Sequence, residues 1–432
     1  MVSKSKEYKI IVNSTISTPF YDSSAPTIKN QLDNCQIIKN GAIAYTDIIL
    51  AIGDQEEVLK EYSAAGANEI TDAKGKLVLP GFVDSHTHIS FVGSREKELE
   101  WKINGLSYIN IASRGGGILS STKRTREASL DVMVNENKSF LDKMLLTGTT
   151  TIEAKSGYGL ETKTELKQLE VLEKLDKIHQ IKIHPTFLGA HAIPENSNAE
   201  DYTQMILDEM IPAVKKQNIA KFIDVFCEKG YFSVEQSKKI IEEGVEYGLK
   251  PKIHVDEIAK NFKGSELAAE LNSLSADHLL QISDQGIVDL AKNSVIGNLL
   301  PGTPFVLRMK EYPPARKMIM KGVPIAISTD FNPNCMLTSM LTVMMLASYQ
   351  MAMKPMETLT AATINGAWSI EQAKNIGSLT PGKKADIIIL NVPNIHFIAY
   401  YLGENVVQHV IKEGNLVVKD KQLINHTINP NQ

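Results

Sequence analysis

The chain has 432 residues, 43% hydrophobic and 22% charged, which is ordinary globular composition and enough length for one large domain plus a smaller one. Forty-six basic against fifty acidic residues leave a formal charge of −4, so the overall electrostatics favour neither nucleic acid nor an anionic membrane, and a small molecule is the expected partner. No apolar leader with a cleavage site and no run of about 18 apolar residues occurs, and Cys35, Cys227 and Cys335 stand far apart without a C-x-x-C; these features predict a soluble cytoplasmic protein with neither a disulfide framework nor a thiolate zinc site.

In chain order, residues 1–78 carry β-type segments ("YKIIVNSTI", "CQIIKNGAIAYTDIILAIG"), with a turn expected at Asn40-Gly41. From 79 to 380, short β-rich runs alternate with helical stretches, which predicts a parallel α/β arrangement. Eight such runs occur: "KLVLPGFVDSHTH", "TGTTTIEAKSGYG", "IKIHPTFLGAHA", "KFIDVFCEKG", "PKIHVDE", "LSADHLL", "SVIGNLLPG" and "PIAISTDFNP". Their number and spacing match a (β/α)8 TIM-like barrel, whose active site lies at the C-terminal ends of the strands. Between two of them, Ser233 to Gly248 reads as a helix opened by an S-x-x-Q capping box, with Ile240, Ile241 and Val245 on its apolar face and Gly248 as its stop. "PMETLTAATINGAWSI" is also helical and closes the barrel region. Residues 381–432 turn β-rich again, and each end is too short to build a core alone. Together they are expected to form one small β-sandwich domain beside the barrel.

Nearly every run starts apolar and finishes on an ionisable side chain: His86 and His88, then Glu153, Lys155 and Tyr158, then His191, Glu228, His254 with Glu257, His278 and Asp330. In a barrel these ends share one rim. His86 and His88 alternate to one face of the first strand, and with His254 and Asp330 they offer three imidazoles and a carboxylate, a donor set for Zn²⁺ or iron with a position left for water. Any one of these histidines alone is more simply a satisfied, half-buried side chain; the argument rests on their barrel order. Glu257 and His278 are placed for proton transfer and carbonyl polarisation. Gly115-Gly116-Gly117 lacks a preceding strand and phosphate-loop spacing and is expected to be a mobile loop over the rim. Lys123, Arg124 and Arg126 are expected to be a solvated helix face, and His179, His396, His409 and His426 structural or surface residues.

"PGFVDSHTH" and "GSLTPGKKADIIIL" resemble the amidohydrolase superfamily over nearly the whole chain. Within it, "EAKSGYGL", "TFLGAHA", "FCEKGYFS", "KIHVDE", "SADHL", "LLPGTPF" and "STDFNPN", in this order, are similar to the imidazolonepropionase family. That resemblance implies one Zn²⁺ or Fe³⁺ per subunit at His86, His88, His254 and Asp330, and hydrolysis of the cyclic amide of 4-imidazolone-5-propanoate to N-formimidoyl-L-glutamate. It further implies catalytic roles for Glu257, His278 and Asp330, substrate contacts from Arg95, Tyr158, His191, Glu257, Asn332 and Asn334, and a homodimer. A guanidinium suits the propanoate carboxylate, because it can bind both oxygens. Other readings are a related deaminase or dihydropyrimidinase-like hydrolase on the same barrel, or a barrel retained as a scaffold. Binuclear relatives use a carboxylated lysine near the end of strand 4, where this chain has Glu228.

Overall fold

The computed structural model describes residues 7–106, 110–111 and 113–424; His426 lies outside them. Eight parallel strands form one sheet in simple sequential order. They are barrel strand 1 (Phe82–Thr87), 2 (Thr149–Lys155), 3 (Lys182–Ala190), 4 (Phe222–Cys227), 5 (Lys250–Val255), 6 (Ser275–His278), 7 (Ile296–Leu299) and 8 (Ile325–Ile327). Each expected run coincides with one of them, strand 5 starting one residue before its run. Helices cover the outer face, so most strand residues are buried on both sides, as an all-parallel sheet requires. The barrel closes just beyond strand 8, where the Asp330 amide donates to the His86 carbonyl at 3.1 Å and the His88 amide to the Phe331 carbonyl at 2.8 Å. The seam therefore runs through the ends that carry the candidate metal ligands.

The helix Val234–Glu246 has the expected capping box: Ser233 Oγ accepts from the Gln236 amide, and Gln236 Oε1 accepts from the Ser233 amide. Ile240 and Ile241 are buried, but Val245 is 46% exposed, contrary to expectation. The inward position four residues after Ile240 is Gly244, where a Cβ would stand 2.4 Å from Ile223 Cδ1. The chain leaves this helix through Gly248, at φ +88. Two short helices, Pro355–Ala361 and Ile364–Trp368, follow the barrel, and the second closes its other end against Val83 and Phe222 at the strand starts.

Both chain ends build a second, nine-stranded sheet. The expected sandwich takes the form of one continuous hydrogen-bonded sheet, in which Leu77–Pro80 pairs antiparallel with Ile387–Leu390 and joins the two ends. The run "KLVLPGFVDSHTH" is thus split between two sheets. At the break, Pro80 has no N–H, the Gly81 amide donates to the Asp386 carbonyl, and a Cβ on Gly81 would meet Thr150 Oγ1 at 2.4 Å. The turn expected at Asn40-Gly41 is absent. Those residues lie inside the strand Cys35–Tyr45, where Asn40 takes φ 51 opposite irregular pairing around Ser14. No helix among the described residues is long and apolar enough to cross a membrane.

Asp386 and Lys412 form a buried ion pair at 2.7 Å within the second sheet, and the other Asp386 oxygen accepts from the Glu413 amide. Removing one member of such a pair strands the other charge, at a cost of about 3–5 kcal/mol. Asp386→Asn is therefore expected to lower the urea midpoint clearly in equilibrium unfolding followed by fluorescence. An unchanged midpoint would show that Lys412 is solvated in the variant.

Candidate metal and active site

His86 and His88, from strand 1, place their Nε2 atoms 3.2 Å apart, and His254 Nε2 from strand 5 lies 3.3 Å from that of His88. Asp330, just past strand 8, has Oδ1 at 3.5 Å from His86 Nε2 and 3.4 Å from His88 Nε2. Four donors bound at about 2.0–2.1 Å in a tetrahedron would stand about 3.3 Å apart. The four observed separations are close to that spacing, as a small divalent or trivalent cation between the donors requires. An overlapping trio, His86, His278 and Asp330, borders the same point.

Hydrogen bonding makes the fit chemical as well as geometric. His86 Nδ1 hydrogen-bonds Asp277 Oδ2 at 2.6 Å, and His254 Nδ1 stands in ion-pair contact with Asp224 Oδ2 at 2.9 Å; a carboxylate beside each Nδ1 favours the tautomer that leaves the Nε2 lone pair facing inward. Burial keeps His86 and His88 well below the usual imidazole range, in the neutral form a ligand needs. Strand alternation would send one of two adjacent residues, Asp277 and His278, away from the interior. A φ of +83 at His278 brings its ring back, 5.5 Å from that of His86 and 5.2 Å from that of His254. Asp330 also sits in the left-handed region, at φ +50. Such conformations cost on the order of 1–3 kcal/mol each and persist where the surroundings enforce them.

One cavity is lined by His88, Arg95, Tyr158, His191, Phe226, His254, Glu257, His278, Thr303, Asp330, Asn332 and Asn334, among others. Of the four expected ligands His86 alone is not on its wall, and the strand-end residues Glu153, Lys155 and Glu228 do not line it either. His191 stacks on His88 with centroids 4.8 Å apart and is fixed by a 2.9 Å contact from Nδ1 to the Gly157 carbonyl. Burial, reinforced by Asp330 and Glu228, pushes the Glu257 carboxyl well above its usual range, and burial pushes His278 down to about 3. Glu257 Oε2 and His278 Nε2 are 3.8 Å apart. Glu228 does not join the candidate ligands; it accepts from the Ile258 and Ala259 amides and so anchors the loop that carries Glu257.

At the opposite wall, Arg95 donates to both Glu98 oxygens at 2.8 and 2.7 Å, and Lys102 Nζ donates to Asn334 Oδ1 at 2.5 Å. Asn332 organises its own turn, accepting from the Asn334 and Cys335 amides and donating to the Asp330 carbonyl. Two expectations need correction here. Gly115-Gly116-Gly117 is no loose loop: Gly117 opens the helix Gly117–Glu127, and its amide donates to Glu98 Oε1 at 2.9 Å. Nor is the basic cluster only a solvated face, since Arg124 holds the Ser94 carbonyl, and Arg126 holds the Gly159 and Leu160 carbonyls beside Tyr158. His179 is structural, bonded to Asp142 and the Ile181 amide. Asp224, Asp277 and Glu98 were not singled out from the sequence; a carboxylate on an interior-facing strand position was the available signal for the first two.

A sequence profile of the Amidohydrolase family matches residues 77–417. The chain is 47% identical to an imidazolonepropionase of Geobacillus kaustophilus (strain HTA426), covering 92% of this chain and 95% of that one. It is 46% identical to another from Alkaliphilus metalliredigens (strain QYMF), covering 93% and 96%. Among solved structures it is similar in fold to an adenosine deaminase from Xanthomonas campestris with bound zinc (TM-score 0.71, 15% identity, 97% and 94% covered). It is similar also to a mutant atrazine chlorohydrolase from Arthrobacter aurescens TC1 complexed with zinc and atraton (TM-score 0.73, 15% identity, 96% of each chain).

If the four converging donors hold one cation, His88→Ala and His254→Ala should each lose most of the metal that the parent retains through gel filtration, as measured by plasma emission. Full occupancy in either variant would move the site elsewhere.

Proposed function

The chain belongs to the amidohydrolase family and, within it, to the imidazolonepropionases, and from that premise we propose that it opens the ring of 4-imidazolone-5-propanoate by hydrolysis, yielding N-formimidoyl-L-glutamate in histidine degradation. The observation that carries this reading is the cavity itself, in which a four-donor cation site, a buried acid and a cationic wall face one another. We assign one Zn²⁺ or Fe³⁺ per subunit to His86, His88, His254 and Asp330; when bound it lowers the pKa of a coordinated water and polarises the ring carbonyl.

The chain's own groups divide the remaining work. Water adds to the ring carbonyl carbon and gives its proton to the Asp330 carboxylate, whose other oxygen is held by Thr303 Oγ1. His278, kept neutral by burial, offers an N–H to the oxygen on which charge develops. Glu257, kept protonated by burial, donates to the ring nitrogen as the C–N bond breaks. The proton on Asp330 then returns to Glu257 through water. Arg95 and Lys102 supply positive charge for the propanoate carboxylate, and Tyr158 and His191 enclose the ring. Asn332 and Asn334 shape the same wall. A homodimer working in the cytosol is the expected assembly.

A coupled ultraviolet assay, with the unstable substrate generated in place from urocanate, is expected to show metal-dependent formimidoyl-glutamate formation that His254→Ala abolishes. A metal-loaded protein with no turnover would instead point to another cyclic amide or amidine. Glu257→Gln and His278→Ala should each lower kcat by roughly 10²–10⁴ while metal content stays unchanged. The raised Glu257 pKa sets the sign of a pH effect: the acid form is present below it, so kcat falls as pH rises through it. Glu257→Gln should lose that alkaline limb; an identical limb in the variant would assign it to another group. Arg95→Ala should raise KM by tenfold or more with a smaller change in kcat, and an unaltered KM would place the carboxylate elsewhere.

A further inference from the structure

Lys155, at the end of barrel strand 2, is fully buried beneath the ligand histidines and has no part in the mechanism above. Its Nζ lies 2.8 Å from Glu153 Oε1, 2.8 Å from Asp224 Oδ2 and 3.8 Å from Asp277 Oδ2. The two aspartate oxygens are the same atoms that face His254 Nδ1 at 2.9 Å and His86 Nδ1 at 2.6 Å. We propose that Lys155 is a positioning residue for the metal site: through Asp224 and Asp277 it fixes the His254 and His86 rings so that both Nε2 atoms meet at one cation.

Topology explains why one residue can do this. The two ligands stand on strands 1 and 5, and their carboxylate partners stand on strands 6 and 4. No neighbouring pair of strands carries both carboxylates. A side chain reaching inward from strand 2 to the barrel axis lies in ion-pair range of both carboxylates, and a compact ammonium suits three carboxylates arranged around it better than a planar guanidinium does. Charge requires it as well. Glu153, Asp224 and Asp277 share a dry volume, where unpaired anions are costly. Burial works against the ammonium, yet the three carboxylates outweigh it and hold Lys155 above the usual lysine range. The other buried cation close to these carboxylates, Lys252, shares in compensating their charge but gives its hydrogen bond to the Ser369 carbonyl, so the close ion-pair contacts to Asp224 and Asp277 come from Lys155.

This inference rests on the metal site assigned above, and its test needs no substrate. Zn²⁺ affinity of the full-length chain is measured by competition with a chromophoric chelator, and folding of the metal-free protein by thermal melting. Lys155→Met should bind Zn²⁺ about ten- to a hundredfold more weakly, the usual effect of losing an outer partner of a ligand. If Lys155 acts through the two aspartates, adding Lys155→Met to Asp224→Asn should weaken binding by clearly less than the product of the two single losses. Parent-like affinity in Lys155→Met, or losses that simply multiply in the double variant, would overturn the proposal. Should Lys155→Met fail to fold, Asp224→Asn and Asp277→Asn decide: parent-like Zn²⁺ affinity in both breaks the proposed link. A parent protein that binds Zn²⁺ normally but does not turn over the imidazolone would sink the functional reading and leave this one standing.

Discussion

Three imidazole lone pairs and a carboxylate oxygen point at one spot inside a dry barrel, 3.2–3.5 Å from their neighbours. Lone pairs at that separation repel one another, and a cation between them would turn the repulsion into coordination. Much of the surrounding architecture serves to hold them there. Asp277 and Asp224 fix two of the rings, Lys155 ties those carboxylates together, and His191 stacks on the third ring.

Barrel closure positions the fourth candidate donor. Strand 8 is only three residues long, and the sheet is completed by backbone bonds from Asp330 and His88 across the seam. The same bonds bring the Asp330 carboxylate to the histidines. Left-handed backbone at His278 and Asp330 is the local cost of turning side chains inward where regular strands would turn them aside. Fold closure and site assembly are thus one set of contacts, and perturbing the seam would disturb both.

Much of this was legible in the sequence. Eight β-rich runs gave the barrel, and ionisable residues at their ends gave the cavity wall, because strand ends on one rim need only local patterns to be recognised. What was not legible depended on neighbours distant in sequence. Asp224 and Asp277 lie mid-run, and only parallel pairing shows that their oxygens meet imidazoles from strands 5 and 1. Lys155 reads in the sequence only as a charged strand end, because its three partners belong to strands 2, 4 and 6. Other misreadings had local causes. Val245 lies five residues after Ile240, off the buried stripe that Gly244 occupies, and Asn40-Gly41 has turn chemistry that a strand irregularity can use equally well. The Gly115–Gly117 segment looked loose because its anchor, Glu98, is 19 residues away.

The buried acids around the cavity have distinct tasks set by their surroundings: Glu228 satisfies backbone amides, Glu98 braces Arg95 and a helix start, and Glu257 is left facing the cavity, where burial and the nearby Asp330 carboxylate disfavour its ionisation. All of these assignments presuppose a cation at the convergence point. Anomalous diffraction at the zinc edge from crystals of the Zn²⁺-loaded chain tests that most directly. The account predicts one strong peak within bonding distance of the Nε2 atoms of His86, His88 and His254 and of an Asp330 oxygen. A peak held by other residues, such as Cys335, with these four side chains uncoordinated, would contradict it.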